Sequence, residues 1–204
     1  MIDSFLRCSS FEETPIGNVE RFFIENFLHD AEGSFFFECG AVNGYHLSQT
    51  ATLESIHGWD GVLVEAHRGL FDRLEKGQRK ATAVHAYLGR GDKVFFEEKT
   101  TGLLGHSQLR DRKVNEECHP VQTETIEEIL TRTDAPVVID YMVLDVEFAW
   151  RAAFDGIDFK NRRIDFMALE MKDRDEHVIA NLYKRGFELI RVLQNEDYCF
   201  RLKR

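Results

Sequence analysis

The stretch Phe35-Phe36-Phe37-Glu38-Cys39-Gly40-Ala41-Val42-Asn43-Gly44 decides how this chain folds. Three consecutive phenylalanines make an apolar strand buried on both faces, and the strand runs into an acid and two glycines ahead of a segment with helical character. Gly40 and Gly44 let the backbone turn sharply and come close to a ligand, a helix start offers free N–H groups, and Glu38 puts a carboxylate at the strand tip. That is the pattern of a nucleotide-cofactor turn. Its spacing departs from the Gly-x-Gly-x-x-Gly of a dinucleotide fingerprint, and a carboxylate beside a helix N-terminus repels a pyrophosphate. A cationic cofactor bearing an amino acid is expected instead, with Glu38 facing an ammonium and the Ser48/Thr50 end of the next helix receiving a carboxylate. S-adenosylmethionine carries all of those groups.

Outward from this turn, strands and helices alternate. Apolar spacing predicts helices over residues 11–29, 46–57, 68–77, 123–133, 149–154 and 176–185, and strands over 61–65, 81–88, 137–146, 164–170, 187–193 and 198–202. Residues 102–120 are polar and break the rhythm, so a long mobile loop is expected there. Alternation of this kind predicts an α/β fold with a mostly parallel sheet and helices on both faces. The turn at Asn195-Glu196-Asp197 predicts an antiparallel C-terminal edge strand.

At 204 residues and 43% hydrophobic content, with 17 Phe, the chain is long enough for one packed core. We expect a single domain over 1–204, with 1–33 a helical extension packed on it. A net charge of −10 opposes binding to a phosphate backbone, so no nucleic-acid partner is expected. No apolar run reaches the roughly 20 residues that span a bilayer, and the N-terminus lacks the order of a secretory signal, which predicts a soluble, cytoplasmic protein. Cys8, Cys39, Cys118 and Cys199 lie without a Cys-x-x-Cys pair, indicating neither a disulfide framework nor a zinc site.

In an open α/β sheet, ligands lie beyond the carboxyl ends of the strands, where Glu38, Glu65 and Asp145 fall. Glu65 is placed to accept both ribose hydroxyls; capping of the following helix is its alternative role. Tyr87 and Ser107 are expected to border an adenine, with ordinary loop packing the alternative. Asp145 leads as the group that contacts the methyl acceptor or an ammonium, and Glu147 is a second carboxylate beside it. His106, His46 and His119 are further candidate bases because imidazole titrates near neutrality. Asp145, Glu147 and Glu170 would alternatively gather a divalent cation, although their spacing does not demand one and no metal is assigned.

These residues together resemble the FkbM family of S-adenosylmethionine-dependent methyltransferases over most of the chain, from Phe35 to Phe200. The resemblance rests on Phe37-Glu38-Cys39-Gly40-Ala41 with Gly44-Tyr45 and Leu47-Ser48, on Gly58-Trp59-x-Gly61 leading into Leu63-Val64-Glu65-Ala66, and on the Gly-Leu-x-Gly element at 102–105. Ile139-Asp140-Tyr141 running into Leu144-Asp145-Val146-Glu147, then Gly186-Phe187-Glu188-Leu189 and Asp197-Tyr198-Cys199-Phe200, complete it. It implies a Rossmann-like methyltransferase sheet and methyl transfer to a hydroxyl of a sugar or glycosylated product. The implied cofactor contacts include Gly40, Asn43, Gly44 and Ala66, with Glu38, Ser48, Thr50, Glu65, Tyr87, Ser107 and Asp145 as above. The family's usual Asn is Val42 here, and its Asp-x-Glu-Gly becomes Asp145-Val146-Glu147-Phe148, which reshapes the acceptor pocket. The partner expected is therefore a small-molecule or glycan acceptor with a free hydroxyl. A catalytically silent binding module is the alternative, and a nicotinamide oxidoreductase is disfavoured by the glycine spacing.

Overall fold

The computed structural model describes residues 17–28, 33–97 and 107–203. Helix α1 (Gly17–Phe23) continues as one wider π-helical stretch over Ile24–Leu28. Strand β1 (Phe35–Cys39), helix α2 (Ala51–Ser55), strand β2 (Asp60–Glu65), helix α3 (Arg68–Glu75) and strand β3 (Thr82–His85) follow. Next come β4 (Tyr87–Leu88), β5 (Lys93–Glu97), β6 (Gln108–Arg110) and β7 (Cys118–Glu124). Helix α4 (Ile126–Arg132) leads to β8 (Val138–Leu144), then a 3-10 turn over Glu147–Ala149 opens into α5 (Trp150–Asp155). Strand β9 (Arg163–Glu170), helix α6 (Glu176–Lys184) and the hairpin of β10 (Phe187–Leu193) and β11 (Asp197–Leu202) complete the order.

Seven strands form the main sheet in the order β10-β11-β9-β8-β1-β2-β3. All neighbouring pairs are parallel except those made by β11, which runs antiparallel to both β9 and β10. From β1 the chain builds outward through β2 and β3, then returns to lay β8 on the other side of β1. Strand order therefore reverses between β1 and β8, where such sheets hold their ligands. A second sheet, β4-β7-β5-β6, stands beside it.

Pleating sends alternate side chains to two cores. Phe36 and Leu63 point to one face, where they join Val19, Phe23, Leu53, Trp59, Phe71 and Tyr141 beneath α1, α2 and α3. Phe37, Val62 and Val64 point to the other, with Ile129, Met142, Phe154, Ile179 and Leu182 beneath α4, α5 and α6. Helix α1 is anchored by Phe23, fully buried with its ring 4.7 Å from Tyr141 and 5.9 Å from Phe166. The same helix supplies Glu20, whose Oε1 accepts from the Thr52 and Leu53 amides at 2.7 and 3.3 Å and so satisfies the free N–H groups at the start of α2. Burial pushes the Glu20 carboxyl up to about 7. Helix α4 opens on a reciprocal box in which the Thr125 side chain accepts from Glu128 and the Glu128 carboxylate accepts from Thr125.

Four features differ from expectation. The helix expected over 46–57 is reduced to Ala51–Ser55, because Leu47 sits at φ +62° and cannot continue a right-handed helix. The strand expected over 81–88 breaks at Ala86, and Tyr87–Leu88 pairs with Thr123–Glu124 in the second sheet. Within the segment expected as a long loop, residues 107–120 contain β6 and the start of β7; Gly102 to His106 lie outside the described residues. The antiparallel strand, expected at the edge, lies one place in from it. Gln194 and Asn195 have φ +51° and +68°, a left-handed turn that folds β11 straight back on β10, so β11 fills the slot between β10 and β9.

Candidate active site

A cavity of about 290 Å³ opens over the carboxyl ends of β1, β2, β8 and β9, at the reversal point of the sheet. One end is apolar, walled by Val64, Leu70, Ala86 and Leu88 and by the rings of Tyr87 and Phe96, whose centroids are 4.8 Å apart. The other end carries Asp145, Glu147, Glu170 and Glu196 with Lys172. The second sheet thus contributes Tyr87, Leu88, Phe96 and Leu109 to the wall; the Tyr87-Leu88 segment was expected there, whereas Phe96, in a stretch left unassigned, and Leu109, in the expected loop, were not anticipated. The short β-branched and aromatic run Val94-Phe95-Phe96 after Gly91-Asp92 was the available signal for β5.

Gly40 is required where β1 meets the loop after β8. Its φ is +79°, and a Cβ there would sit 1.9 Å from the Asp145 carbonyl oxygen. The amides of Gly40 and Ala41 both donate to the Val64 carbonyl, so the turn is stitched to β2. Glu65, at the tip of β2, is 7% exposed and lies on the cavity wall. Its Oε2 accepts from the Val42 amide at 2.8 Å and its Oε1 from the His67 amide at 2.7 Å. Burial, opposed by those hydrogen bonds, pushes the carboxyl up to about 7.

Of the residues singled out from the sequence, Gly40, Glu65, Ala66, Tyr87, Ser107, Asp145 and Glu147 line this cavity. Glu38, Asn43, Gly44, Ser48 and Thr50 do not. The expectation that Glu38 faces an ammonium is corrected by its partners: it is 2% exposed and accepts from Ser48 Oγ at 2.9 Å, the Gln49 amide at 2.8 Å and Thr50 Oγ1. Ser48 and Thr50 are correspondingly directed at Glu38 rather than at a ligand carboxylate. Asn43 Oδ1 accepts from the amides of Tyr45 and His46, at 3.0 and 2.8 Å, closing a local turn. Gly44, at φ +83°, packs against Leu74 and Arg79. His46 and His119 are not on the cavity wall, His106 lies outside the described residues, and so does the side chain of Phe148. Arg79, missed from sequence, emerges as a buried cation behind the turn, within hydrogen-bond reach of Gly44, Ser48, Thr50 and Glu54.

The carboxylate end is set by strand register. Leu144 of β8 pairs with Leu169 of β9, so the next residues, Asp145 and Glu170, emerge side by side and hydrogen bond. Burial first, then that bond and the neighbouring carboxylate, push the Asp145 carboxyl well above the usual carboxylate range. Asp197, next to Glu170 across the antiparallel pair, is raised to about 7 by burial and by Glu170 and Glu196. Glu147, at φ +53°, is ion-paired with Lys172. Burial works against the charged Lys172 amine, but Glu147 together with the Glu170 and Glu196 carboxylates outweighs it and the net shift is upward. Among the described residues no group of three or more His, Cys, Asp or Glu side chains is arranged to hold a metal ion.

A parallel sheet reversing at β1/β8, one antiparallel strand beside its far edge, helices on both faces and a cavity over the reversal point define a Rossmann-like methyltransferase fold. A family model for the methyltransferase FkbM domain matches residues 38–189, and the chain belongs to the FkbM methyltransferase family, whose cofactor is S-adenosylmethionine. Among solved structures, the METTL16 methyltransferase domain is similar at 8% identity, over 92% of this chain and 65% of that one, with a TM-score of 0.52. The N-terminal domain of human METTL16 in complex with S-adenosylhomocysteine is similar at 10% identity, over 91% of this chain and 68% of that one, with a TM-score of 0.50. This chain spans about two thirds of their length, and at such identity the likeness bears on the fold alone. No curated relative matches the sequence. Among the described residues no helix is long and apolar enough to cross a membrane.

Proposed function

We propose that this chain is an O-methyltransferase that methylates a hydroxyl of a carbohydrate, and that the cavity over β1, β2, β8 and β9 holds cofactor and acceptor together. The observation that carries the reading is that one cavity over the reversal point of the sheet is lined both by apolar side chains of β2 and the segments that follow β3 and by carboxylates that follow β8 and β9. The residues suit S-adenosylmethionine. Val64, Leu70, Ala86 and the Tyr87 ring offer an apolar slot for a purine. A carboxylate has about four acceptor sites, so Glu65 retains capacity for a ribose diol while holding the Val42 and His67 amides. The acidic end favours an ammonium and hydroxyl groups, and it repels phosphate-bearing acceptors.

Bound there, the cofactor supplies a methyl group activated by a sulfonium. The protein's part is to align the acceptor oxygen and to remove its proton, since a neutral hydroxyl is a poor nucleophile. Burial and the adjacent Glu170 carboxylate make the Asp145 carboxyl keep its proton well above the usual carboxylate range, because adjacent carboxyls resist double ionisation. The pair still presents a free carboxylate oxygen, and in this reading it receives the acceptor proton. Glu147, held by Lys172, accepts from a neighbouring hydroxyl and orients the sugar.

Calorimetric titration with S-adenosylmethionine and S-adenosylhomocysteine, with nicotinamide dinucleotide as control, tests the cofactor. Methyl transfer from labelled cofactor to a panel of sugars, amines and phosphosugars then tests the acceptor. Binding of the adenosyl ligands with label on neutral sugars supports the proposal. Label on amines alone would replace the O-methyl reading, and no binding would leave a silent module.

A further inference from the structure

We propose that Arg79 is a positioning residue for the cofactor: joined to Glu38 through the hydroxyls of Ser48 and Thr50, it holds the 40–50 loop in the shape that forms one wall of the cavity. The inference rests on the cavity being the cofactor site.

The loop needs holding. Besides Gly40 and Gly44, it places Val42 at φ +53° and Leu47 at φ +62°, conformations that side-chain-bearing residues adopt at a cost, and Gly40, Val42 and Leu47 all line the cavity. Left to local preference, this segment would relax away from that shape. The side chain of Arg79 is only 3% exposed, and its guanidinium lies 5.6 Å from the Phe36 ring centroid and 5.9 Å from that of Tyr45. A cation so removed from water is costly unless every donor is used. Here four hydrogen bonds engage it, three of them on the loop and one on Glu54 of α2. Nε donates to Glu54 Oε2 at 2.9 Å, one terminal nitrogen donates to the Gly44 carbonyl and to Ser48 Oγ at 3.1 Å, and the other donates to Thr50 Oγ1 at 3.0 Å.

The direction of the hydrogen bonds follows from inventory. A hydroxyl has one proton to give and lone pairs to receive. Guanidinium can only donate, so Ser48 Oγ and Thr50 Oγ1 accept from Arg79 and each gives its single proton to Glu38. Two hydroxyls thus bridge a buried cation to a buried carboxylate in parallel, and no proton remains on either for a ligand. This accounts for Glu38, Ser48 and Thr50 standing off the cavity wall while bearing on its shape. A lysine lacks the planar fork: its three donors radiate from one nitrogen and cannot span the four acceptors that the three nitrogens of Arg79 reach.

The test uses the full-length chain with Arg79→Lys, Thr50→Val and, as a stability control remote from the cavity, Leu182→Ala. Affinity for S-adenosylhomocysteine is measured by calorimetry well below each variant's melting temperature. A tenfold or greater loss is expected for Arg79→Lys and a smaller loss for Thr50→Val, which removes one bridge, while Leu182→Ala melts lower but binds as the wild type does. Should Arg79→Lys fail to fold, Thr50→Val and Ser48→Ala carry the test. Variants that melt lower yet bind with wild-type affinity would overturn the proposal and make the network merely structural. Absence of binding by the wild-type protein would instead remove the cofactor reading on which the proposal stands.

Discussion

Burial raises the Glu65 carboxyl to about 7, so near neutrality the free protein is divided between a carboxylate and a carboxylic acid at the tip of β2. The carboxylate accepts from the Val42 and His67 amides and retains capacity for a ribose diol; the acid turns one oxygen into a donor and loses part of that capacity. A ligand that requires the carboxylate must first remove the proton, so its affinity falls about tenfold for each pH unit below 7. At about pH 5.5 the loss is roughly 30-fold, or about 2 kcal/mol, and above pH 8 it vanishes. The assay is calorimetric titration across this range with 5′-methylthioadenosine, which has the diol but no amino acid to titrate. In Glu65→Gln the slope should disappear, and affinity at alkaline pH should drop by about 1.5–3 kcal/mol, because an amide offers one acceptor oxygen and turns a donor toward one of the two backbone N–H groups. Unfolding does not mimic the effect. A carboxyl whose folded pKa lies above its unfolded value favours the fold at low pH and loses that contribution as pH rises through about 7, so acid weakens binding while the contributions of Glu65, Glu20 and Asp197 to the fold strengthen. A flat wild-type profile, or a slope that survives in Glu65→Gln, would refute the reasoning.

Asp145→Asn should lower turnover about 100-fold or more and weaken S-adenosylhomocysteine binding by a smaller factor, since the acidic end loses a carboxyl; undiminished turnover would remove the Asp145–Glu170 pair as the group that takes the acceptor proton. Gly40→Ala should cost at least about 2 kcal/mol in urea unfolding, since the new methyl collides with the Asp145 carbonyl oxygen, and a change within about 0.5 kcal/mol would show that the loop after β8 gives way freely. Phe23→Ala should cost about 3–5 kcal/mol by emptying the ring cluster that docks α1 on Tyr141 and Phe166, read out by thermal melting. Asp197→Asn replaces a group that is forced to ionise as pH passes about 7, so its melting temperature should rise relative to wild type at pH 8 more than at pH 5; equal shifts at both would show that Asp197 is already solvated.

Local signals sufficed where a residue's role depends on its neighbours in the chain. The Phe35–Cys39 strand, the glycine turn and the strand tips at Glu65 and Asp145 were legible because burial period, φ > 0 and strand ends are local properties. The hairpin turn and the helix starting at Glu176 were legible for the same reason. What lay beyond local reading was pairing. Glu38 has the same sequence context whether it faces a ligand or Ser48, Gln49 and Thr50, and only the folded chain shows its three partners. Arg79 is ordinary in a basic stretch until α3 and the start of β3 carry it behind the glycine loop. Asp145 and Glu170 are twenty-five positions apart and become neighbours through the β8–β9 register, while pairing among β5, β6 and β7 brings Phe96, from a stretch with no expected element, and Leu109, from a region that reads as loop, over the cavity. The alternating strands and helices and the glycine turn were thus determined by the sequence by itself, through periodicity and glycine. Which acids meet, which hydroxyls are consumed internally and what walls the cavity were decided only by the tertiary structure, because hydrogen bonds and desolvation depend on distance in space rather than along the chain.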